Sequence, residues 1–345
     1  MEESCKEWYH KNLLPQRMRS KKNEYLCQAC QRTVPRHGGK SKSWKGCTFI
    51  MIYLFTGIVF LVTIFFLWAE RGLIKNSTIV SFKEHGVKNL RNFLHMYLYA
   101  RWPDKYIKTA RFLLPQAAKK GPEKVSEGYH SKILTPNLAK KIVTINKSIP
   151  LKDLEKIIPY PVARKIVLTN PLDIVVLECP CRASAQKPCS PSMVCMIIGK
   201  PFTDFIIEHH PDKSKRLTQK EALVLLDEVH KQGSIHTAYF KEACLDRFYV
   251  ICNCCKCCCL GLEAMVKHGV PIMSPSGYCA QIDKGLCIGC GLCLTKCPFN
   301  AISSQYEVIE DKCMGCGVCI STCPKGSISL ERNESKGIPL DVEAI

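Results

Sequence analysis

Eight cysteines occur as two copies of one spacing, C-x2-C-x2-C-x3-C-P. The first copy runs from Cys287 to Pro298 and the second from Cys313 to Pro324. Thiols that recur every third residue can converge from one tight loop, and the glycines between them let the backbone turn sharply. The spacing therefore predicts a duplicated metal-binding unit. Zinc knuckles or disulfides are the alternative, although zinc sites use two C-x2-C pairs rather than three cysteines and a Cys-Pro.

The repeat resembles the bacterial-type two-[4Fe-4S] ferredoxins, and this resemblance covers only residues 279–332 of the 345. In that family the fourth cysteine of each run serves the other cluster. The resemblance therefore implies a crossed assignment of ligands. One cluster would take Cys287, Cys290, Cys293 and Cys323, and the other would take Cys313, Cys316, Cys319 and Cys297.

Ten further cysteines lie upstream in two groups, and all are candidate metal ligands. The first group contains Cys179, Cys181, Cys189 and Cys195. The second group contains Cys252, Cys254, Cys255, Cys257, Cys258 and Cys259. If the second group is extended, alternate side chains face opposite sides. That pattern predicts one face with Cys255, Cys257 and Cys259, and the other with Cys252, Cys254 and Cys258.

We expect these two groups to meet in space. Apolar, β-branched residues predict a buried strand at 173–177 before the first group and another at 248–251 before the second. Strands running side by side would deliver both groups to one edge of a sheet, where sites commonly form. A further iron–sulfur centre is the favoured prediction. A zinc site or a set of redox-active thiols are the alternatives.

Several polar residues near these cysteines are candidates for supporting roles. Arg182 follows Cys181, so its charge would stabilise thiolates and raise the potential of a bound cluster, unless it forms an ordinary salt bridge. Four histidines are possible extra ligands, although histidines are more often surface or packing residues. They are His209, His210, His230 and His236.

The order of these motifs carries a second resemblance. The chain combines CPCR at 179–182, a Cys-Ser-Pro run, HKQG-x-x-H at 230–236 and CNCCKCCC at 252–259. This combination resembles a group of poorly characterised, membrane-anchored bacterial iron–sulfur proteins, in which the module precedes a two-cluster ferredoxin domain. The resemblance spans roughly residues 131–330 and implies iron–sulfur electron transfer without naming a substrate.

Composition narrows the class of protein. A disulfide-rich secreted fold is not expected, for two reasons. Such folds are short, and many of the 24 cysteines in this chain lie in metal-binding patterns. The net charge of +19 is spread along the chain without a nucleic-acid recognition motif, so no nucleic acid is expected as a partner. The charge is typical of a chain that lies against an anionic membrane surface.

Residues 47–69 carry no charged side chain and predict a single transmembrane helix, because a helix of that length is about 35 Å long and a bilayer core is about 30 Å thick. A buried core helix is the alternative. Basic residues flank both ends, so the orientation is ambiguous. Cluster assembly favours iron–sulfur domains on the cytoplasmic side of a bacterial inner membrane.

The predicted fold class is α+β, with six segments. They are a basic arm at 1–46, the transmembrane helix at 47–69, a basic amphipathic membrane-proximal segment at 70–130, a cysteine-rich α/β domain at 131–278, a ferredoxin domain at 279–332 and a tail at 333–345. Cys27 and Cys30 in the arm form a lone C-x-x-C, either a small zinc or redox site or free thiols. Residues 70–130 could instead form surface helices of the next domain.

Local patterns add detail within the cysteine-rich domain. Short helices are predicted at 151–158 and 162–168, and Thr218 with Glu221 forms a capping box before a helix that Gly233 ends.

Three functions fit these features. The favoured prediction is a membrane-anchored electron carrier with two [4Fe-4S] clusters and one further cysteine-held centre, which serves redox partner proteins. An iron–sulfur reductase with a catalytic extra centre is the first alternative, and the excess of cysteines supports it. A redox or oxygen sensor is the second.

Overall fold

The computed structural model describes residues 54–63, 72–127, 129–145, 149–152, 165–168 and 172–344. The chain divides into two compact units, Met1–Leu73 and Ile74–Ile345. In the first unit residues 54–63 are helical, and Phe55, Phe60 and Leu61 are among its exposed apolar side chains. No helix within the described ranges combines the length and apolar character that crossing a membrane requires. Most of the predicted span at 47–69, and the Cys27–Cys30 pair, lie outside those ranges.

The second unit contains eleven helices and eleven strands among its described residues. The helices are α1 (Asn76–His85), α2 (Leu90–Arg101), α3 (Pro103–Lys120), α4 (Pro122–Ser126), α5 (Pro136–Val143), α6 (Pro180–Ala183), α7 (Phe202–His209), α8 (Gln219–Lys231), α9 (Leu260–His268), α10 (Leu292–Lys296) and α11 (Val318–Thr322). The strands are β1 (Tyr129–Leu134), β2 (Ile149–Lys152), β3 (Lys165–Leu168), β4 (Ile174–Glu178), β5 (Met193–Ile198), β6 (Ser214–Leu217), β7 (Ile235–Lys241), β8 (Arg247–Cys254), β9 (Met273–Ser274), β10 (Tyr278–Ile282) and β11 (Ile328–Arg332).

Nine of these strands form one sheet with the order β6-β4-β5-β8-β7-β1-β9, to which β3 and β2 are added beside β8. Nearly all neighbours are antiparallel, and only the β1–β9 and β3–β8 pairs are parallel. The mixed content of helices and strands in the α+β prediction is confirmed. The sheet is not the parallel one that an α/β region usually contains.

Both faces of the sheet are buried at β4 and β5, which explains why these two strands are continuous apolar runs. On one face Ile174, Met196 and Phe240 pack with α5 and α8. On the other face Val175 and Tyr239 pack with residues of α2, α3 and α7. Cysteines of both upstream groups belong to this second face, so the helices of residues 90–120 cover the side of the sheet that carries the thiols.

The segment predicted to lie near a membrane contributes to this core. Phe93, Met96 and Leu114 are buried against the sheet, and the break between α2 and α3 falls at Pro103 as its ring requires. The same helices leave further apolar side chains exposed, among them Leu90, Leu94, Leu98 and Phe112. The packing favours the alternative in which 70–130 supplies helices to the next domain.

Three local predictions are confirmed and three are wrong. The strands at 173–177 and 248–251 form as β4 and β8, and the Thr218–Glu221 capping box opens α8. The helices predicted at 151–158 and 162–168 are wrong where those segments are described, because β2 and β3 pair there as a hairpin, with Ile149 opposite Leu168. The side-by-side placement of β4 and β8 is also wrong, since β5 lies between them.

Candidate metal centres

The eight cysteines of the repeat line two cavities in the pattern that the crossed assignment requires. One cavity is lined by Cys287, Cys290, Cys293 and Cys323. The other is lined by Cys297, Cys313, Cys316 and Cys319. Each cavity thus combines three thiols of one run with the Cys-Pro thiol of the other run. Their role as cluster ligands stays a prediction.

The backbone around these cavities fits a bulky, sulfur-rich group. Gly291 and Gly317 have φ of 73° and 80° and start α10 and α11 directly beside the thiols. Two backbone N–H groups point at the thiols: that of Ala301 lies 3.3 Å from Cys297 Sγ, and that of Ala280 lies 3.4 Å from Cys313 Sγ. Such donors offset negative charge on thiolate ligands and tune a cluster. The residues present therefore fit two [4Fe-4S] clusters.

The two cavities differ in their access to solvent. Cys290 is exposed, and Cys287 and Cys323 are partly exposed, whereas Cys297, Cys313, Cys316 and Cys319 are all buried. Burial raises the pKa of the Cys316 thiol. One site therefore faces the surface and the other faces the interior of the unit.

The two upstream groups of cysteines meet in space, as predicted. Cys189 and Cys255 are 66 positions apart in the chain, and their sulfur atoms lie 3.3 Å apart. However, the ten thiols separate into two clusters, which we call the thiol ring and the four-thiol group.

The thiol ring consists of six mostly buried cysteines, each of which interacts electrostatically with the next in a closed circuit. Going around it, the interacting pairs are Cys179–Cys181, Cys181–Cys259, Cys259–Cys254, Cys254–Cys252, Cys252–Cys195 and Cys195–Cys179. The ring forms where the end of β4 and the short helix α6 meet β5, the end of β8 and the start of α9.

The four-thiol group consists of Cys189, Cys255, Cys257 and Cys258, whose sulfur atoms all lie within 4.8 Å of one another. Four convergent thiols are the usual donor set of tetrahedral zinc and of iron–sulfur clusters. The group therefore fits a metal centre of its own, close to the ring but separate from it.

The predicted division of residues 252–259 by alternating faces is wrong for Cys258 and Cys259. The chain is extended only as far as Cys254, where β8 ends, and it then makes a turn before α9 begins at Leu260. Cys252 and Cys254 keep the alternation and share the ring. The turn directs Cys255, Cys257 and Cys258 together into the four-thiol group.

Crowding of the thiols opposes their simultaneous ionisation. The contact with Cys195 raises the pKa of Cys252, whereas the contact from Cys252 lowers the pKa of Cys254 to about 7. Ionised sulfurs would repel one another in this buried setting, so a cation is needed before all of them can be thiolates. Among the described residues, the four-thiol group brings its ligand atoms within 4.8 Å of one another, whereas the thiols of the ring are more widely spaced.

Arg182 supplies one fixed positive charge at the thiols. Its side chain is only 1% exposed, and the thiols of both clusters raise the pKa of its guanidinium against the opposing effect of burial. It donates to the carbonyl oxygens of Pro191 and Asn253. Its Nε, however, has no hydrogen-bond partner among the residues that the structure describes. A buried donor of this kind fits the presence of an anionic group such as a thiolate-bound cluster.

The four candidate histidines are held by other partners. His209 contacts Thr78 Oγ1 at 2.8 Å, and His210 contacts the carbonyl oxygen of Ala100 at 2.7 Å. His236 contacts Asn253 Oδ1 at 2.6 Å and stacks on His230 with ring centroids 5.2 Å apart. None of the four is part of the four-thiol group.

Lys256 connects the four-thiol group to the buried cavity of the repeat. This residue lies in the turn between Cys255 and Cys257, and its Nζ donates to the carbonyl oxygen of Cys297 at 2.8 Å. It also donates to the carbonyl oxygen of Thr295 at 3.3 Å and to Asn300 Oδ1 at 3.2 Å. The two metal-binding regions are thus in direct contact.

A cavity of about 570 Å³ is lined by all six cysteines of the thiol ring and by Cys255 of the four-thiol group. Its walls come from α2, α3, α7 and strands of the large sheet, and they include five of the tyrosines together with Lys241. Burial raises the pKa of Tyr99 and Tyr249, so both hydroxyls stay protonated, and they lie 3.0 Å apart. The cavity was not foreseen from the sequence, because its residues meet only through the tertiary fold.

Comparison with known proteins supports one part of this assignment. The family model described as a 4Fe-4S dicluster domain matches residues 280–330. No curated protein matches the chain. The match covers the repeat and does not extend to the thiol ring or the four-thiol group.

Proposed function

We propose that this protein transfers electrons through two [4Fe-4S] clusters and a further iron–sulfur centre held by the upstream cysteines. The clusters would be held by the eight cysteines of the repeat in the crossed pattern, and the further centre by cysteines of the thiol ring. The four-thiol group would hold a metal of its own. Iron–sulfur clusters supply one-electron transfer when bound, with potentials that the surrounding protein adjusts.

The observation that carries this proposal is the unbroken sequence of thiol-lined sites through the unit. The partly exposed site comes first and the buried site of the repeat second. Lys256 then connects the buried site, by its hydrogen bond to Cys297, to the turn that carries the four-thiol group. Arg182 interacts electrostatically with thiols of both upstream clusters. A carrier with an inner centre needs such a series, because electrons that enter at the partly exposed site must pass through the unit to reach the upstream centre.

The surface around the partly exposed site suits a redox partner protein. Leu286, Ile288 and Leu292 surround Cys287 and Cys290, and all three are well exposed apolar side chains. Transient electron-transfer complexes use small interfaces. A partner that covers these residues would come close to the first cluster.

Replacing Lys256 with Met should slow electron transfer from the clusters of the repeat to the upstream centre. The variant loses the three hydrogen bonds that hold the turn against Cys297, Thr295 and Asn300, so the two sites are no longer held together. The rate is measured by rapid freeze-quench electron paramagnetic resonance after reduction with limiting dithionite. Iron content should stay constant.

Lys267 provides a matched control for this experiment. It is an exposed lysine on the nearby helix α9, and its one ion pair among the described residues is with Glu263, four residues away in the helix, at 3.4 Å. Lys267→Met removes the same charge and should leave the transfer rate unchanged. Equal rates in the Lys256 variant and the wild-type protein would contradict the proposed route.

We also propose that residues 47–69 anchor the protein in a bacterial inner membrane as a single span, with the iron–sulfur region in the cytoplasm. The charge-free sequence supports this, as do the exposed apolar side chains of the helical residues 54–63. Basic residues throughout the chain would favour an anionic membrane surface.

Detergent should be required to extract the full chain from membranes, whereas a fragment of residues 74–345 should be recovered without it. High salt weakens ionic attachment but not apolar burial. The proportion of protein in the supernatant after ultracentrifugation measures the outcome. Release of the full chain by salt alone would argue against a spanning segment.

The cavity favours a second candidate function, an iron–sulfur reductase. A pure carrier has no need for a cavity of about 570 Å³, a volume within the range of small-molecule sites. All six cysteines of the thiol ring line the cavity, so a bound molecule would lie beside the centre that the ring holds. In this case the clusters of the repeat would deliver electrons to that molecule.

A further inference from the structure

The cavity beside the thiol ring contains a buried positive charge that neither candidate function has used. Lys241, at the end of β7, is 4% exposed. Its Nζ lies 4.7 Å from the ring centroid of Tyr129, 4.8 Å from that of Tyr99 and 5.4 Å from that of Tyr106. Three aromatic faces thus hold the cation at the cavity wall.

No carboxylate forms an ion pair with Lys241 among the described residues of the chain. The nearest acidic side chain in sequence, Glu242, instead accepts a hydrogen bond from Asn92 at 3.4 Å. Burial lowers the pKa of Lys241, because a buried ammonium group without a paired anion is costly. A ligand with a negative charge would remove that cost.

The thiol ring does not supply this charge. Cys244 and Glu242 favour the charged form of Lys241, against the larger effect of burial. The strand register explains the separation. Thr237 lies opposite Cys252, and Lys241 follows Thr237 by four residues on the same face of β7. At about 3.4 Å per residue, Lys241 lies about 14 Å along β7 from Thr237, whose Oγ1 is 3.6 Å from Cys254 Sγ in the ring.

Most of the remaining lining is apolar or aromatic, and its other charged residues are Arg91, Lys124, Glu127 and Glu242. Tyr239 stacks on Tyr129 with ring centroids 4.9 Å apart, and Met96 and Ile197 are also in the lining. The Tyr99 and Tyr249 hydroxyls, which also line the cavity, are hydrogen-bonded to each other at 3.0 Å, so this pair leaves one O–H donor for a ligand. The cavity opens to solvent beside its exposed lining residues, one of which is Leu113 of α3, 49% exposed. We call the opening beside Leu113 the mouth.

From this arrangement we propose that the cavity binds an elongated, mostly apolar carboxylate, with its carboxylate group at Lys241 and its apolar end directed towards the thiol ring. The proposal deepens the reductase function and rests on it in one respect. Only in a reductase would the end of the bound molecule beside the thiol ring receive electrons. The binding itself requires only the cavity and its charge. A failure of binding can therefore be separated from a failure of electron transfer.

Octanoate serves as the probe, and octanamide serves as its uncharged counterpart of similar shape. Both are titrated by calorimetry into the anaerobically purified full chain, whose iron content is measured in the same sample. Octanoate should bind at least about tenfold more tightly than octanamide, since only the carboxylate pairs with the ammonium group. Equal affinities would overturn the proposal.

Two pairs of variants make the result specific. Lys241→Met should lower octanoate affinity by at least about tenfold and leave octanamide affinity unchanged, whereas Lys241→Arg should keep most of the preference. Leu113→Trp should weaken both ligands by filling the mouth. Phe112→Trp changes a neighbouring side chain that is 78% exposed and outside the lining, so it should have no effect.

Each outcome has one meaning. Octanoate binding that survives both Lys241→Met and Leu113→Trp would place the ligand elsewhere on the protein and overturn the proposal. If octanoate binds as expected but the iron content matches only the clusters of the repeat, the carboxylate site stands and the upstream iron centre fails.

Discussion

Replacing Cys181 with Ser is expected to remove the iron of the upstream centre and to leave the two clusters of the repeat intact. Cys181 contacts Cys179 and Cys259 and closes the thiol ring. A serine hydroxyl is a poor ligand for iron compared with a thiolate, which soft metals prefer. The cysteines of the repeat lie in different cavities, so their clusters should keep their electron paramagnetic resonance signal.

Cys244→Ser is the matched control for this variant. Cys244 is also a buried cysteine of the large-sheet region, and burial raises the pKa of its thiol to about 12. It belongs to neither the thiol ring nor the four-thiol group. Chemical iron assay of the two variants should therefore show a loss for Cys181→Ser alone. Unchanged iron in Cys181→Ser would mean that the ring is not an iron site.

Replacing Gly315 with Ala is expected to disrupt the buried cluster site. Gly315 has φ of 64°, and a Cβ there would lie 2.2 Å from the carbonyl oxygen of Tyr278 and 2.3 Å from Ser276 Oγ. Backbone at such a distance cannot be avoided by a side-chain rotation. We expect a loss of stability of at least about 3 kcal/mol and loss of the cluster held by Cys313, Cys316, Cys319 and Cys297.

Gly326 separates this steric effect from backbone strain. It has a similar φ of 61°, but a Cβ there would meet nothing within 4 Å. Gly326→Ala should cost only about 1 kcal/mol, the strain of a left-handed alanine. Thermal melting and iron content compare the two variants. Equal behaviour of both would show that the close approach of Tyr278 and Ser276 does not constrain the loop.

The sequence could predict which cysteines of the repeat share a cavity, because most of that grouping follows from local spacing. Three cysteines in one loop must be neighbours, and the family resemblance assigns the fourth from the other run. The capping box at Thr218 and the strand before Cys179 were predictable for the same reason. Each depends on residues only a few positions apart.

The division of the upstream cysteines could not be predicted, because it depends on where the chain stops being extended. Nothing in the run CNCCKCCC marks Cys254 as the end of β8. The placement of β5 between β4 and β8 also brings Cys195 into the ring, and that strand was not foreseen. Nothing in the sequence marked Lys241 as part of a binding site. Its setting requires Tyr99 and Tyr106 from two helices and Tyr129 from another strand.

The central claim is that the upstream cysteines hold iron in addition to the two clusters of the repeat. The most direct measurement is the content of iron, acid-labile sulfide and zinc per chain after anaerobic purification. We expect about twelve or more irons, with sulfide in similar amount. About eight irons and eight sulfides would mean that only the repeat carries clusters, and zinc in place of the extra iron would contradict an upstream iron–sulfur centre.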